Sequence, residues 1–407
     1  MTIDWGTQFA PRLRQAKGSA IRELLKLLDD PGIVSFAGGI PDPALFPRAA
    51  LAAAAQRILG DPRLAAIALQ YAPSEGYAPL RRFLVQTMAA RGVACAVDNI
   101  LITSGSQQAL DFIGRLFLSP GDTVLVARPT YLGALQAFSA HEPVYGKLPA
   151  TGDNRTPEPY GGDDGAARAK FAYAIADFQN PTGESLSLAE RRDLVANAAA
   201  LGLPLVEDAA YDQLRYDGAA LPSLLALDTV RTGSIDAGGV LYCGTFSKTI
   251  APGLRIGWIA APRPVIDKLV LIKQASDLHT STFDQMVLHD VATTLPPDHL
   301  AAIRQSYRAR RDAMLGALDA YFPQTVRWTR PEGGMFIWVT LPAHLDAEAL
   351  LRRSLAEVKV AFVPGASFHA DGTGRNTLRL NFSLNPEEVA IAGIRRLGGV
   401  LHRALAA

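Results

Sequence analysis

From about Leu51 to Ala261, short β-branched runs alternate with longer helical stretches. NILIT (99–103), DTVLVA (122–127), FAYAIA (171–176), LPLVED (203–208), GVLYC (239–243) and LRIGWIA (254–260) are nearly continuous apolar runs. That is the pattern of strands covered on both faces. SQQALDFIGRLFL and LSLAERRDLVANAAALG (186–202) carry helical periodicity between them. The alternation predicts an α/β fold with a mostly parallel central sheet and helices on both faces. Ligands of such sheets bind beyond the carboxyl ends of the strands.

The pattern changes near the C-terminal end. Residues 299–322 read as one long helix. GGMFIWVTL, VKVAFVPG and NTLRLNFS read as strands, with a helix near 346–357 and another from about Pro386. These predict a smaller α+β unit. The first forty-odd residues, with a helix near 19–29 followed by FAGGIPDP, are expected to join it. The predicted division is a large domain over 46–300 and a small domain made of 1–45 and 301–407. Residues 151–170 are rich in Gly, Pro and Asp and read as a loop, because the sheet pattern resumes directly after them.

Composition narrows the class. The 407 residues are 49% hydrophobic and 19% charged, ordinary for a two-domain soluble enzyme with a large core. A net charge of +1 gives no electrostatic case for nucleic acid or an acidic membrane. Two cysteines, Cys95 and Cys243, exclude a disulfide framework and suit a reducing cytoplasm. No apolar run approaches the roughly 20 residues that span a bilayer, the N-terminus lacks a signal-peptide core, and no Cys/His spacing suggests zinc.

The chemistry concentrates in GTFSKTIAPGLRIGW (244–258). Lys248 stands among small hydroxyl residues. Burial there lowers an amine's pKa and makes it nucleophilic, as a Schiff-base lysine requires. Thr245, Ser247 and Arg255, placed just inside the following strand, offer hydroxyls and a cation for a phosphate. An aldehyde cofactor carrying a phosphate satisfies both, and pyridoxal 5′-phosphate is the candidate. A surface loop with an incidental Ser-Lys pair is the plainer alternative.

Other strand ends add to this. Gly105, Ser106 and Gln107 fall where a strand ends and a helix begins, an anion site by backbone N–H groups and helix dipole, or a simple N-cap. Tyr131, after RPT, is placed to lie over a ring or merely to pack. Asn180 in FQNPTG follows a buried strand, where its amide can meet a phenolic oxygen. Asp208 ends another such strand and needs a cationic partner, such as a protonated pyridine nitrogen, or a helix N-terminus to cap. Tyr211, three residues on, can bond the ring hydroxyl beside Asn180. In NTLRLNFS, Arg379 shares a face with Asn381 and Ser383, suited to gripping a carboxylate or, on an edge strand, to facing solvent.

FAGGIPDP, LQYAPSEGYAPLR, TSGSQQALD, FQNPTG, VEDAAY, GTFSKTIAPGLRIGW and NTLRLNFS occur in this order along nearly the whole chain. In this the chain resembles the fold-type I pyridoxal-phosphate aminotransferases of class I/II, in the branch containing 2-aminoadipate and kynurenine aminotransferases. The resemblance implies that Lys248 carries the cofactor and shuttles the substrate proton. Asp208 would pair with the pyridine nitrogen, and Asn180 and Tyr211 with the ring oxygen. Ser106, Gln107, Thr245, Ser247 and Arg255 would bind the phosphate, and Tyr131 would stack on the ring. Arg379, with Asn180 and the backbone at Gly39, would hold the substrate α-carboxylate. Arg22 is a candidate for a distal carboxylate, or an exposed helix residue. Tyr71 would reach the phosphate of a neighbouring subunit, which implies a homodimer with composite sites.

The activity expected is amino transfer between an L-amino acid and a 2-oxo acid, with 2-oxoglutarate as one acceptor and 2-aminoadipate, an aromatic or an aliphatic amino acid as donor. A lyase acting on a β-substituted amino acid and a cofactor-binding sensor without turnover are the alternatives, because the fold hosts several chemistries.

Overall fold

The computed structural model describes residues 2–10, 12, 32–148, 169–296 and 298–406. The helix expected near 19–29, Arg22 and residues 151–168 of the expected loop lie outside the described residues. The described strands are β1 (Val34–Ser35), β2 (Ile100–Thr103), β3 (Thr123–Val126), β4 (Val144–Lys147), β5 (Ala169–Ala174), β6 (Leu205–Asp208), β7 (Val240–Thr245), β8 (Gly257–Ala260), β9 (Arg327–Trp328), β10 (Phe336–Thr340), β11 (Val360–Ala361), β12 (Val363–Pro364) and β13 (Thr377–Asn381).

β2 to β8 form a seven-stranded sheet in the order β2-β8-β7-β6-β5-β3-β4. The run from β4 to β7 is parallel throughout, and only β8 is antiparallel, to both of its neighbours. Each residue of β2, β3, β6, β7 and β8 is buried. Helices cover both faces, so a strand here needs apolar side chains on both sides, which is why these runs do not alternate. Side-chain size still alternates through β5 and the two residues that follow it. Phe171, Tyr173 and Ile175 pack into one core, and Ala172, Ala174 and Ala176 into the other.

Two elements depart from the sequence pattern. β4 (VYGK) sits at the sheet edge with Val144 more than half exposed, and carries no continuous apolar run to reveal it. The run LRIGWIA is a strand only from Gly257. Pro252–Leu254 form a 3₁₀ turn and Arg255 is left-handed at φ 55°. Arg255 therefore precedes the strand rather than lying inside it, and its side chain stays solvent-accessible.

β12, β13, β10 and β9 form a second, antiparallel sheet in that order, and β1 pairs in parallel with β11. Their shared core includes Phe36, Phe336, Trp338, Phe368 and Leu380. The helices Asp298–Tyr321, Ala347–Val358 and Glu387–Leu405 pack around it. β13 is an interior strand, and all five of its residues are buried. Arg379 is 1% exposed, so the solvent-facing alternative does not hold.

Candidate active site

The carboxyl ends of β5, β6 and β7 converge with the N-terminus of helix Ser106–Phe117. A cavity of about 140 Å³ opens there, lined by Ser106, Gln107, Tyr131, Asp208, Tyr211, Thr245, Ser247, Lys248 and Arg255, together with Ile175, Ala210 and Pro252. Residues singled out at separate points of the sequence thus meet around one space. A wider open groove of about 700 Å³, between Tyr321 and helix Glu387–Leu405, contains none of them.

At one end of the cavity the backbone prepares an anion seat. Gly105, at φ 81°, starts helix Ser106–Phe117 with no side-chain cap, which leaves first-turn N–H groups unclaimed by a side chain. A Cβ at Gly105 would collide with the Arg255 guanidinium, and one at Gly257 would lie 2.7 Å from the Ser106 nitrogen. Both glycines are needed for β8 and Arg255 to approach this turn so closely. Arg255 Nη2 donates to the Ser104 carbonyl at 3.4 Å. Thr245 Oγ1 donates to Ser247 Oγ at 2.9 Å and accepts from the Ser247 N–H at 3.2 Å. The Gln107 side chain turns aside and donates to the Gly133 carbonyl at 2.7 Å. That bond ties down the turn beside Tyr131, whose ring occupies the space a Cβ at Gly133 would fill.

Glu207 and Asp208 end β6 on opposite faces, as adjacent strand residues must. Glu207 accepts from the N–H groups of Leu224 and Leu225 at 2.8 and 3.0 Å, capping helix Leu224–Thr232. The capping role considered for Asp208 therefore belongs to its neighbour. Asp208 faces the cavity, where Tyr173 Oη donates to its Oδ2 at 2.8 Å. Its Oδ1 is buried with no hydrogen-bond partner among the described residues. Burial pushes Asp208 up to about 6, with the Tyr173 hydrogen bond working against that rise.

Lys248 follows β7 on a tight turn. Its Nζ donates to the Gly39 carbonyl at 2.9 Å and lies 5.9 Å from the centre of the Tyr211 ring. Burial, then the charges of Arg255 and Arg379, push its amine down to about 8. Tyr211 Oη accepts from Asn180 Nδ2 at 3.4 Å. Burial raises the Tyr131 hydroxyl to about 12, helped by the Asp208 charge.

Arg379 closes the far side. Its Nη1 donates to Asn180 Oδ1 at 2.7 Å and its Nη2 to the Ala37 carbonyl at 2.6 Å. Phe336 and Phe368 lie with their ring centres 4.2 and 4.9 Å from the guanidinium carbon, and Nε has no hydrogen-bond partner among the described residues. Burial pushes it down to about 10, and no carboxylate among the described residues neutralises it.

Two of the expected residues stand apart. Tyr71 is 80% exposed, set edge-on to His279 at 6.0 Å, and is not part of this cavity. Arg22 lies outside the described residues. The sequence reading missed Tyr173, Phe336 and Phe368. A tyrosine hydroxyl within an otherwise apolar strand was the available signal for the first; the other two read only as core.

The residues fit pyridoxal phosphate on structural grounds. The unpartnered buried oxygen of Asp208 suits a ring cation, the uncapped helix end and Arg255 suit an anion, and an amine of lowered pKa lines the same cavity. Sheet, lysine turn and anion seat define a fold-type I pyridoxal-phosphate enzyme. Residues 33–393 match the model of the family "Aminotransferase class I and II". The chain belongs to that family. It is 44% identical over 406 residues to the 2-aminoadipate transaminase of Thermus thermophilus, covering 99% of each chain. It superposes on the crystal structure of LysN, the α-aminoadipate aminotransferase of Thermus thermophilus, complexed with N-(5′-phosphopyridoxyl)-L-leucine (TM-score 0.88, 43% identity, 99% and 100% coverage). It superposes equally on that of Pyrococcus horikoshii kynurenine aminotransferase (TM-score 0.89, 39% identity, 99% of each chain). The protein is a pyridoxal-phosphate-dependent aminotransferase acting on amino acids. No helix among the described residues is long and apolar enough to cross a membrane.

Proposed function

We propose that this enzyme moves the amino group of 2-aminoadipate, an aromatic or an aliphatic L-amino acid to a 2-oxo acid, with 2-oxoglutarate as one acceptor. The observation that carries the reading is Arg379: a buried guanidinium without a carboxylate partner among the described residues, sharing Asn180 with the hydroxyl of Tyr211. A buried cation of this kind is matched by an anion that arrives with the substrate. Relatives acting on 2-aminoadipate and kynurenine support the donor class.

Pyridoxal phosphate, when bound, supplies an aldehyde for attachment to an amine and a ring that accepts electrons from the substrate α-carbon. Ser106, Gln107, Thr245, Ser247 and Arg255 would hold its phosphate and Tyr131 would cover its ring. Asp208 would pair with the ring nitrogen, and Asn180 and Tyr211 with the ring hydroxyl. Lys248 Nζ would hold the cofactor aldehyde and would be the base that takes and returns the α-carbon proton. An amine with a pKa near 8 is suited to that exchange close to neutral pH. Arg379, Asn180 and the backbone at Gly39 would orient the α-carboxylate, and Arg22 a distal one.

The same reading makes residues 46–300 a cofactor-binding domain and 1–45 with 301–407 a smaller one, supported by the separate cores of the two main sheets. It makes the enzyme a homodimer in which exposed Tyr71 reaches the partner's site, and a cytoplasmic one, in keeping with two unpaired cysteines.

The test is a half-reaction. Glutamate or 2-aminoadipate added alone should convert the cofactor to its amine form, and 2-oxoglutarate should restore it. Pyruvate and ammonia released from a β-substituted amino acid, without that conversion, would overturn the reading in favour of a lyase.

A further inference from the structure

Behind the anion seat lies a buried cation that the reaction does not use. Lys273, in helix Arg263–Gln274, has a side chain 0% exposed. Its ammonium donates to Asp277 Oδ1 and Oδ2 at 2.9 and 3.0 Å, to Thr280 Oγ1 at 2.9 Å and to Gln108 Oε1 at 3.1 Å. It also lies 5.7 Å from the Phe112 ring centre.

These partners all lead to one peptide. Gln108 Oε1 accepts from the Ser104 N–H at 2.8 Å, while its Nε2 donates to Asp277 Oδ2 at 2.8 Å. The Ser104 hydroxyl lies 3.2 Å from both Asp277 Oδ2 and Thr280 Oγ1. On the opposite side, the Ser104 carbonyl accepts from Arg255. The Ser104–Gly105 link is thus held from behind by the Lys273 network and from the front by the guanidinium facing the cavity. Of the adjacent glutamines, Gln107 lines the cavity and Gln108 reaches back to Lys273.

We propose that Lys273 is a positioning residue for the cofactor phosphate: by fixing Gln108 and Asp277 it holds the Ser104–Gly105 turn so that the Ser106 and Gln107 N–H groups face the cavity. The proposal rests on the pyridoxal-phosphate reading of that cavity. A buried lysine that served only the fold would be a poor device, since well-packed apolar side chains often replace buried ion pairs without loss of stability. Here each ammonium bond goes to a group that contacts the turn or its support, and the turn has no side-chain cap of its own.

The experiment compares two vitamers. Apoenzyme carrying Lys273→Met or Gln108→Ala is titrated with pyridoxal 5′-phosphate and with pyridoxal, which lacks the phosphate, and thermal midpoints are measured alongside. Each variant should bind the phosphorylated vitamer roughly tenfold more weakly, the worth of about one charge-assisted hydrogen bond. Affinity for pyridoxal should stay within about twofold, because its ring contacts do not depend on the turn. An unchanged ratio of the two affinities, an equal loss of both, or unfolding of both variants would overturn the proposal. Wild-type apoenzyme that failed to bind pyridoxal phosphate would instead sink the cavity reading, and the proposal with it.

Discussion

Tyr173 donates its hydroxyl to one oxygen of Asp208 at 2.8 Å and leaves the other oxygen bare. The two residues sit on neighbouring parallel strands. The bond holds the carboxylate in one orientation and restrains the rise that burial imposes on its pKa. Removing the hydroxyl should let Asp208 rise further. In Tyr173→Phe apoenzyme the Asp208 carboxyl should titrate above about 6, and kcat of the cofactor-loaded variant should fall roughly tenfold as the carboxylate loses its fixed orientation. A pH titration of the apoenzyme and steady-state kinetics of the loaded variant check the two.

Asp208 also marks the pH dependence of stability in the cofactor-free protein. Its folded value of about 6 lies above the ordinary carboxyl value of 3.8. The stability it contributes is therefore fully present below about pH 4 and lost as pH rises through about 6. Glu207, raised to about 7 by burial, extends the same trend. Asp208→Asn should flatten the decline between about pH 4 and 6 while leaving the Glu207 share. Urea titrations at several pH values measure this, and turnover of the same variant should fall on the order of a hundredfold or more.

Lys248 behaves in the opposite sense. Its folded value near 8 lies below 10.5, so between those values the unfolded chain binds more protons. Its unfavourable contribution is present below about pH 8 and is relieved as pH rises towards 10.5. Competitive labelling of apoenzyme should find Lys248 reacting with a midpoint near 8, and Arg255→Met should raise that midpoint by removing a nearby positive charge. Lys248→Ala should abolish turnover, and borohydride reduction of wild-type holoenzyme should leave the label on Lys248 alone.

Arg379 is held between Phe336 and Phe368, with both Nη atoms engaged. Lysine has neither the planar fork nor the reach to keep both bonds. Arg379→Lys should raise KM for amino acids on the order of a hundredfold, with cofactor affinity nearly unchanged. Steady-state kinetics beside a cofactor titration separates the two.

Tyr71 tests the dimer. The proposed composite site assigns Tyr71, 80% exposed and outside its own cavity, to the cavity of a second subunit. Tyr71→Ala and Lys248→Ala subunits, each weakly active or inactive, should recover about a quarter of wild-type activity when unfolded together and refolded, as random pairing of subunits with shared sites requires. Sedimentation of the mixture should show two chains per particle.

Much of this protein was legible before folding was considered. Apolar runs located β2, β3, β6 and β7, because a strand buried on both faces must be apolar throughout. The order of Ser106, Tyr131, Asn180, Asp208, Lys248 and Arg379 was equally visible: Asp208 ends an apolar run, Arg379 interrupts one, and the others fall in the turns that follow such runs, where ligands of parallel sheets bind. What the chain could not disclose was which partner each would find. Glu207 and Asp208 are adjacent carboxylates, and only the placement of helix Leu224–Thr232 on one face and Tyr173 on the other separates a cap from a site. Arg379 could have faced solvent until β10 and β12 enclosed β13. Arg255 looked like a strand residue until its left-handed turn carried it to Gly105. Local pattern determines what must be buried. Who meets whom once buried depends on contacts between residues far apart in the chain, and tertiary packing alone settles those.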